Sequence, residues 1–220
     1  PRLSPDDSRV MVRESPGLGD DYALRIYDWS GAQLASYPEI FGSLDSTNID
    51  SWDWISNDAV LFAQDHQLYR VDGLGNQPQA IASFADLDAF VYHLDVSPDG
   101  SRVAMTLTQT RANVGGRSNH VWVMKIDGSG LTQVTTSTTR EDSPTWSPDG
   151  THLAFRFGGS APPGSPIPDN CPAILIVTPS AGLIDLDAGI GSAEVVVASD
   201  GRPVCAREAA ATYNSDIGWR

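Results

Sequence analysis

Ser97-Pro98-Asp99-Gly100 runs into Ser101-Arg102-Val103-Ala104-Met105, and fifty residues later Ser147-Pro148-Asp149-Gly150 runs into Thr151-His152-Leu153-Ala154-Phe155. Proline fixes φ near −65° for the first central position of a type I turn. Aspartate bonds to neighbouring backbone, and glycine accepts positive φ. A type I turn closed by a left-handed residue is a common three-residue hairpin link. The apolar run after each turn therefore reads as a buried strand.

Two further copies lie upstream. Ser4-Pro5-Asp6-Asp7 precedes Ser8-Arg9-Val10-Met11-Val12, and a decayed copy reads Trp54-Ile55-Ser56-Asn57-Asp58 before Ala59-Val60-Leu61-Phe62. Asp7 and Asp58 stand where glycine is expected, and aspartate tolerates left-handed backbone better than most residues. The residues opening the copies are Leu3, Trp54, Val96 and Trp146, at intervals of 51, 42 and 50 residues. A second half-motif follows in three of them. Leu24–Asp28, Gln67–Asp72 and His120–Asp127 each lead through a Gly-bearing turn into another short strand. Two hairpins per 40–50 residues make four antiparallel strands, which is the period of a propeller blade.

The expected fold is all-β, a β-propeller of four-stranded antiparallel blades at about 1–48, 49–90, 91–141 and 142–214 of a single domain. Residues 215–220 supply the first strand of a further or closing blade. Blade four is irregular. Ala161–Pro168 is Pro-rich, Ile174–Val177 is its third strand, and Leu183–Leu186 or Glu194–Val197 its fourth. Val197–Gly201 resembles a worn hairpin motif. Pro1–Pro5 aligns with Pro144–Pro148, and Ser215–Trp219 with Asp142–Trp146. The chain is expected to be part of a larger propeller, with closure of a small ring as the alternative.

The repeat resembles that of TolB-type propellers, and is also similar to the propeller domains of tricorn and prolyl-oligopeptidase proteins. The resemblance rests on the Ser-Pro-Asp-Gly hairpin and the strand ending in Asp-Gly, and covers residues 1–157. It implies an exported bacterial protein that binds other envelope proteins, and names no partner. These residues build turns, so the match speaks to fold more than to activity.

With 28 acidic and 14 basic residues, the chain carries a formal charge of −14. That balance repels nucleic acid phosphates and anionic lipid. No apolar run is long enough for a transmembrane helix. Cys171 and Cys205 match no zinc spacing. A disulfide between them, in an exported protein, is the expectation; two buried free thiols are the alternative.

No Gly-x-Ser-x-Gly nucleophile motif and no phosphate loop is present. Asp185-x-Asp187-x-Gly189 with Glu194 lacks the third oxygen ligand and the in-register glycine of a calcium loop. No metal or cofactor is therefore expected. First strands line a propeller's channel, and the residues just before the repeated core position include Arg2, Asp53 and Asp95. With His93 they form a candidate channel-mouth binding site. Trp54 and Trp146 read as packing between blades, while Trp29 and Trp52 fall outside that register. Either could anchor a partner, Trp52 being equally suited to burial. The expected role is a non-enzymatic protein-binding scaffold in the bacterial envelope or secreted. The alternatives are the substrate-gating propeller of a larger hydrolase, a peptidase, or a carbohydrate-binding propeller.

Overall fold

The computed structural model describes residues 1–14, 22–38, 49–110, 117–158, 163–168 and 171–205. The strand expected over 215–220 lies outside these residues. The chain divides into two compact units, Pro1–Val91 and Tyr92–Arg220.

The first unit holds two four-stranded antiparallel blades, each with its strands in chain order. Blade one comprises β1 (Arg2–Leu3), β2 (Arg9–Glu14), β3 (Ala23–Asp28) and β4 (Gln33–Pro38). Blade two comprises β5 (Ile49–Ser56), β6 (Ala59–Gln64), β7 (Gln67–Asp72) and β8 (Gln79–Ser83). All six residues of β6 are buried, as a continuous apolar strand between two packed faces requires. Met11, Leu24, Ile26, Trp54, Val60 and Phe62 form the unit's core.

The second unit begins within the first strand of blade three. That blade comprises β9 (Ala89–Val96), β10 (Arg102–Thr110), β11 (Arg117–Lys125) and β12 (Thr132–Gln133). A short β13 (Thr135–Thr136) follows. Blade four has β14 (Glu141–Trp146), β15 (Leu153–Phe157) and β16 (Ala173–Val177). Its fourth strand is β18 (Glu194–Val195), the second of the two segments the sequence offered. The first segment, β17 (Ile184–Asp185), instead pairs parallel with β13. Val121, Trp146, Phe155, Phe157, Leu175 and Ile184 lie in this unit's core.

The repeated turn is built as its residues dictate. Gly100 N and Gly150 N donate to Ser97 O and Ser147 O at 2.8 Å, and Asp7 N to Ser4 O at 2.9 Å. The closing residue is left-handed in all three, with φ of 68° at Gly100 and Gly150 and 57° at Asp7. Each opening serine ties the turn from inside. Ser97 Oγ donates to Asp99 Oδ1 at 2.6 Å and accepts from Arg102 N at 2.9 Å, and Ser4 and Ser147 repeat the pattern.

The decayed copy differs. Ser56 pairs directly with Ala59, leaving a two-residue link, Asn57-Asp58. Asp58 is absent from the left-handed residues. The expectation of positive φ there is corrected: the shorter link removes the position that needs it.

Cys171 and Cys205 form a disulfide, with Cα atoms 5.1 Å apart. Next to it Ala173 bridges Cys205 and Val197 bridges Pro203. Gly201 N donates to Ala198 O at 2.9 Å, so the worn motif at 197–201 does form a turn.

Candidate functional site

The residues singled out as a channel mouth sit where strands of adjacent blades meet. In the first unit, Trp54 Nε1 donates to the carbonyl of Arg2 at 3.2 Å. The Arg2 guanidinium lies 3.8 Å from Asp53 Oδ1, with both side chains largely covered. In the second unit, Trp146 Nε1 donates to the carbonyl of Asp95 at 3.1 Å, and Trp146 N to Asp95 Oδ2 at 2.6 Å. Arg2 and Asp53 are thus brought together in one unit. His93 and Asp95 share β9 in the other.

The backbone at His93 is left-handed, φ 51°. Ser143, three residues before Trp146 as His93 is before Val96, has φ 56°. The register of blade four shifts between Asp142 and Thr145. The left-handed backbone of His93 thus recurs at the equivalent residue of the next blade, where the strand bulges.

A second contact completes each junction. Arg102 Nη2 donates to Gly150 O at 2.8 Å, and its guanidinium lies 4.3 Å from the Trp146 ring centroid. Arg9, at the same place in the first copy, donates to Asn57 O and pairs with Asp58 Oδ1 at 2.7 Å. Arginine suits both tasks, since its planar fork stacks on an aromatic face while its N–H groups donate in plane.

The turn carboxylates are held ionised. Hydroxyls of Ser8 and Ser4 bring Asp6 down to about 2, Ser97 and Ser101 do so for Asp99, and Ser147 and Thr151 for Asp149. Asp28 and Asp127 are also lowered, each chiefly by the hydroxyl of Ser30 or Ser129.

Three features were not visible in the sequence. Glu141 is fully buried and accepts from His120 Nδ1 at 2.6 Å, from Thr135 Oγ1 at 3.2 Å and from Ser137 Oγ. Beside it, Arg156 makes two 2.7 Å bonds to buried Asp142. Glu141 in β14 gathers β11, β13 and the loop at Ser137, and Asp142 ties β14 to β15, since a buried carboxylate needs several donors. The third feature is a cleft of about 240 Å³ in the first unit, lined by Tyr37, Phe62, Gln64 and the Gly75–Pro78 backbone. Tyr37, Phe62 and Tyr69 stack beside it, with centroids 5.9 and 5.3 Å apart. Burial pushes the Tyr37 hydroxyl up from its ordinary value. A β-strand pattern does not reveal which strands face such a gap, so no sequence signal pointed to it.

Trp52 is buried in the same core as Trp54, two residues along β5, and Trp29 is 67% exposed with Nε1 donating to Asp7 O at 2.6 Å. Asp187 accepts from Thr138 N at 2.8 Å and from Thr138 Oγ1 at 3.1 Å. Among the described residues no three His, Cys, Asp or Glu side chains gather as metal ligands do.

No family model and no curated protein matches the sequence. Solved structures do match. A TolB from Acinetobacter baumannii superposes with TM-score 0.55 at 16% identity, over 89% of this chain and 42% of that one. The tricorn protease gives 0.57 at 15%, over 90% and 21%. A structure from a study of two prolyl endopeptidases gives 0.59 at 13%, over 90% and 28%. The chain thus spans less than half the length of each. At these identities the likeness is one of fold, and the fold is that of TolB-type, tricorn and prolyl-oligopeptidase propeller regions.

Proposed function

We propose that this chain is a non-enzymatic, protein-binding propeller scaffold of the bacterial envelope or of a secreted protein. The observation that carries the reading is the destination of its ionisable and aromatic side chains. Asp95, Arg102 and Trp146 fasten blade to blade, His120 and Glu141 link β11 to β14, and Asp142 and Arg156 link β14 to β15. A frame fixed in this way presents its turns and loops as a rigid surface, which lowers the ordering cost of binding. The disulfide supports an oxidising compartment. No helix of the described residues is long and apolar enough to cross a membrane.

The test is retention of an envelope protein on the immobilised, oxidised chain, compared with variants at the first-strand residues. Asp95→Asn keeps an acceptor for Trp146 N while removing the charge, and Asp53→Asn does the same at its position. Saturable retention weakened several-fold by the double variant supports the reading. Retention unchanged in a folded double variant removes these residues from the site.

The second reading is a substrate-gating propeller within a larger hydrolase. It is favoured by the small share of the tricorn and prolyl endopeptidase structures that the chain covers. Labelling of the natural protein by a fluorophosphonate probe would decide for it.

A further inference from the structure

We propose that the cleft between Tyr37 and Gln64 is a binding site for one neutral pyranose ring, as found at the end of an uncharged glycan. The site lies wholly within the first unit and does not depend on the protein-binding reading.

Size is the first constraint. An apolar cavity of about 150 Å³ accepts a benzene ring. The cleft, at about 240 Å³, accepts a six-membered ring that also carries hydroxyls, and is smaller than the roughly 300–1,000 Å³ of sites for drug-sized ligands.

Chemistry is the second. Among the described residues lining the cleft none carries a charge. Ionised ligands would have no counter-charge there, so a carboxylated or phosphorylated sugar is disfavoured. Tyr37, Phe62 and Gln64 are buried, while Ser36, Asn76 and Gln77 are exposed. The arrangement is an aromatic floor with a polar rim. Pyranoses have one apolar C–H face and an equator of hydroxyls, which match those two parts.

Tyr37 supplies the specific feature. Its hydroxyl accepts from Gly75 N at 3.0 Å, and among the described residues nothing accepts its proton. The side chain is 3% exposed. Burial keeps the phenol protonated across the physiological range, so it stays a donor. A buried O–H with its proton uncommitted gains most from a ligand oxygen. Asn76, exposed at the rim, commits one of its two amide N–H groups to Asp72 O at 2.6 Å. The stacked Tyr37–Phe62–Tyr69 column holds the floor rigid.

The test is titration of the isotope-labelled chain with methyl glucopyranoside, methyl galactopyranoside and methyl mannopyranoside. Glucuronate and N-acetylproline amide serve as comparison ligands. At least one neutral glycoside should give saturable shifts confined to resonances of Tyr37, Phe62, Gln64 and Gly75–Pro78. The dissociation constant expected for one ring is on the order of 1–10 mM. Tyr37→Phe, which keeps the ring, should weaken binding about fivefold to tenfold. Gln64→Leu gives a second reading if Tyr37→Phe disturbs the fold, and should weaken binding by a similar factor. The proposal is overturned by no saturable shift with any neutral glycoside, by preference for glucuronate or the proline amide, or by unchanged affinity in both folded variants.

Discussion

The indole nitrogen of Trp146 donates to the carbonyl of Asp95, and two repeats earlier Trp54 donates to the carbonyl of Arg2 at the same place. Two junctions, one in each unit, thus use one chemistry. Replacing Trp146 by Phe keeps most of the buried ring but removes the indole donor and weakens the stacking of Arg102. The lost hydrogen bond costs about 1 kcal/mol, and the cation–π contact adds roughly 0.5–1 kcal/mol. Urea unfolding should show a lower midpoint with an unchanged slope.

The second prediction concerns acid. Asp6, Asp99 and Asp149 have folded values of about 2 against an ordinary 3.8. Depressed folded values mean that the turns contribute stability above the ordinary value and lose it as pH falls through about 2. Ser97→Ala removes the strongest donor to Asp99, so the pKa of that carboxyl should rise toward 3.8. Carbon-detected NMR titration of the aspartate side chains reads this directly. A value that stays near 2 would assign the depression to Ser101 alone.

Reduction of the disulfide supplies a third. The bridge closes 34 residues, for which chain entropy gives about 3–4 kcal/mol. Thermal unfolding should move to lower temperature in reductant. Denatured, unreduced protein should resist alkylation at both cysteines. Ready alkylation without reductant would contradict the bridge.

Glu141 is the most exacting position in the second unit. Glu141→Ala leaves His120, Thr135 and Ser137 without their shared acceptor in a buried site. Removing one member of such a buried set costs roughly 3–5 kcal/mol. Equilibrium unfolding of the variant should show a loss of that size. A loss under about 1 kcal/mol, the net worth of one ordinary hydrogen bond, would mean that water replaces the carboxylate.

Much of the fold was legible because turns are local. Serine, proline, aspartate and glycine at fixed offsets specify a hairpin through bonds spanning at most five residues, and those bonds form at 4–9, 97–102 and 147–152. The decayed copy was legible as a hairpin but not in length. Asn57-Asp58 supports a tight link as readily as a longer one, and only the pairing of Ser56 with Ala59 decides. The ambiguous fourth strand of blade four had the same cause: two short apolar segments were equally suited, and long-range pairing chose Glu194–Val195.

The candidate site was less legible. Sequence placed Arg2, Asp53 and Asp95 one residue before the repeated position, which is buried at Trp54 and Trp146 but 51% exposed at Leu3. It did not show that the carbonyls of Arg2 and Asp95 would be taken by the next blade's tryptophan, nor that the left-handed backbone at His93 recurs at Ser143. Cross-blade geometry has no signature within a single strand. The cleft beside Tyr37 depends on residues from three separated stretches, and the Glu141 cluster on four.

The tryptophan–carbonyl contact has a direction. In each unit one blade offers an acceptor and an arginine, and meets the next blade's indole and turn carbonyl there. This is head-to-tail polarity, in which unlike surfaces join and no two-fold axis is needed. Arg9 and Arg102 stand in the first and third copies, Trp54 and Trp146 in the second and fourth, so the element that carries a matched seam is a pair of blades rather than a single blade. Stability then accumulates seam by seam, as in other one-dimensional repeat arrays.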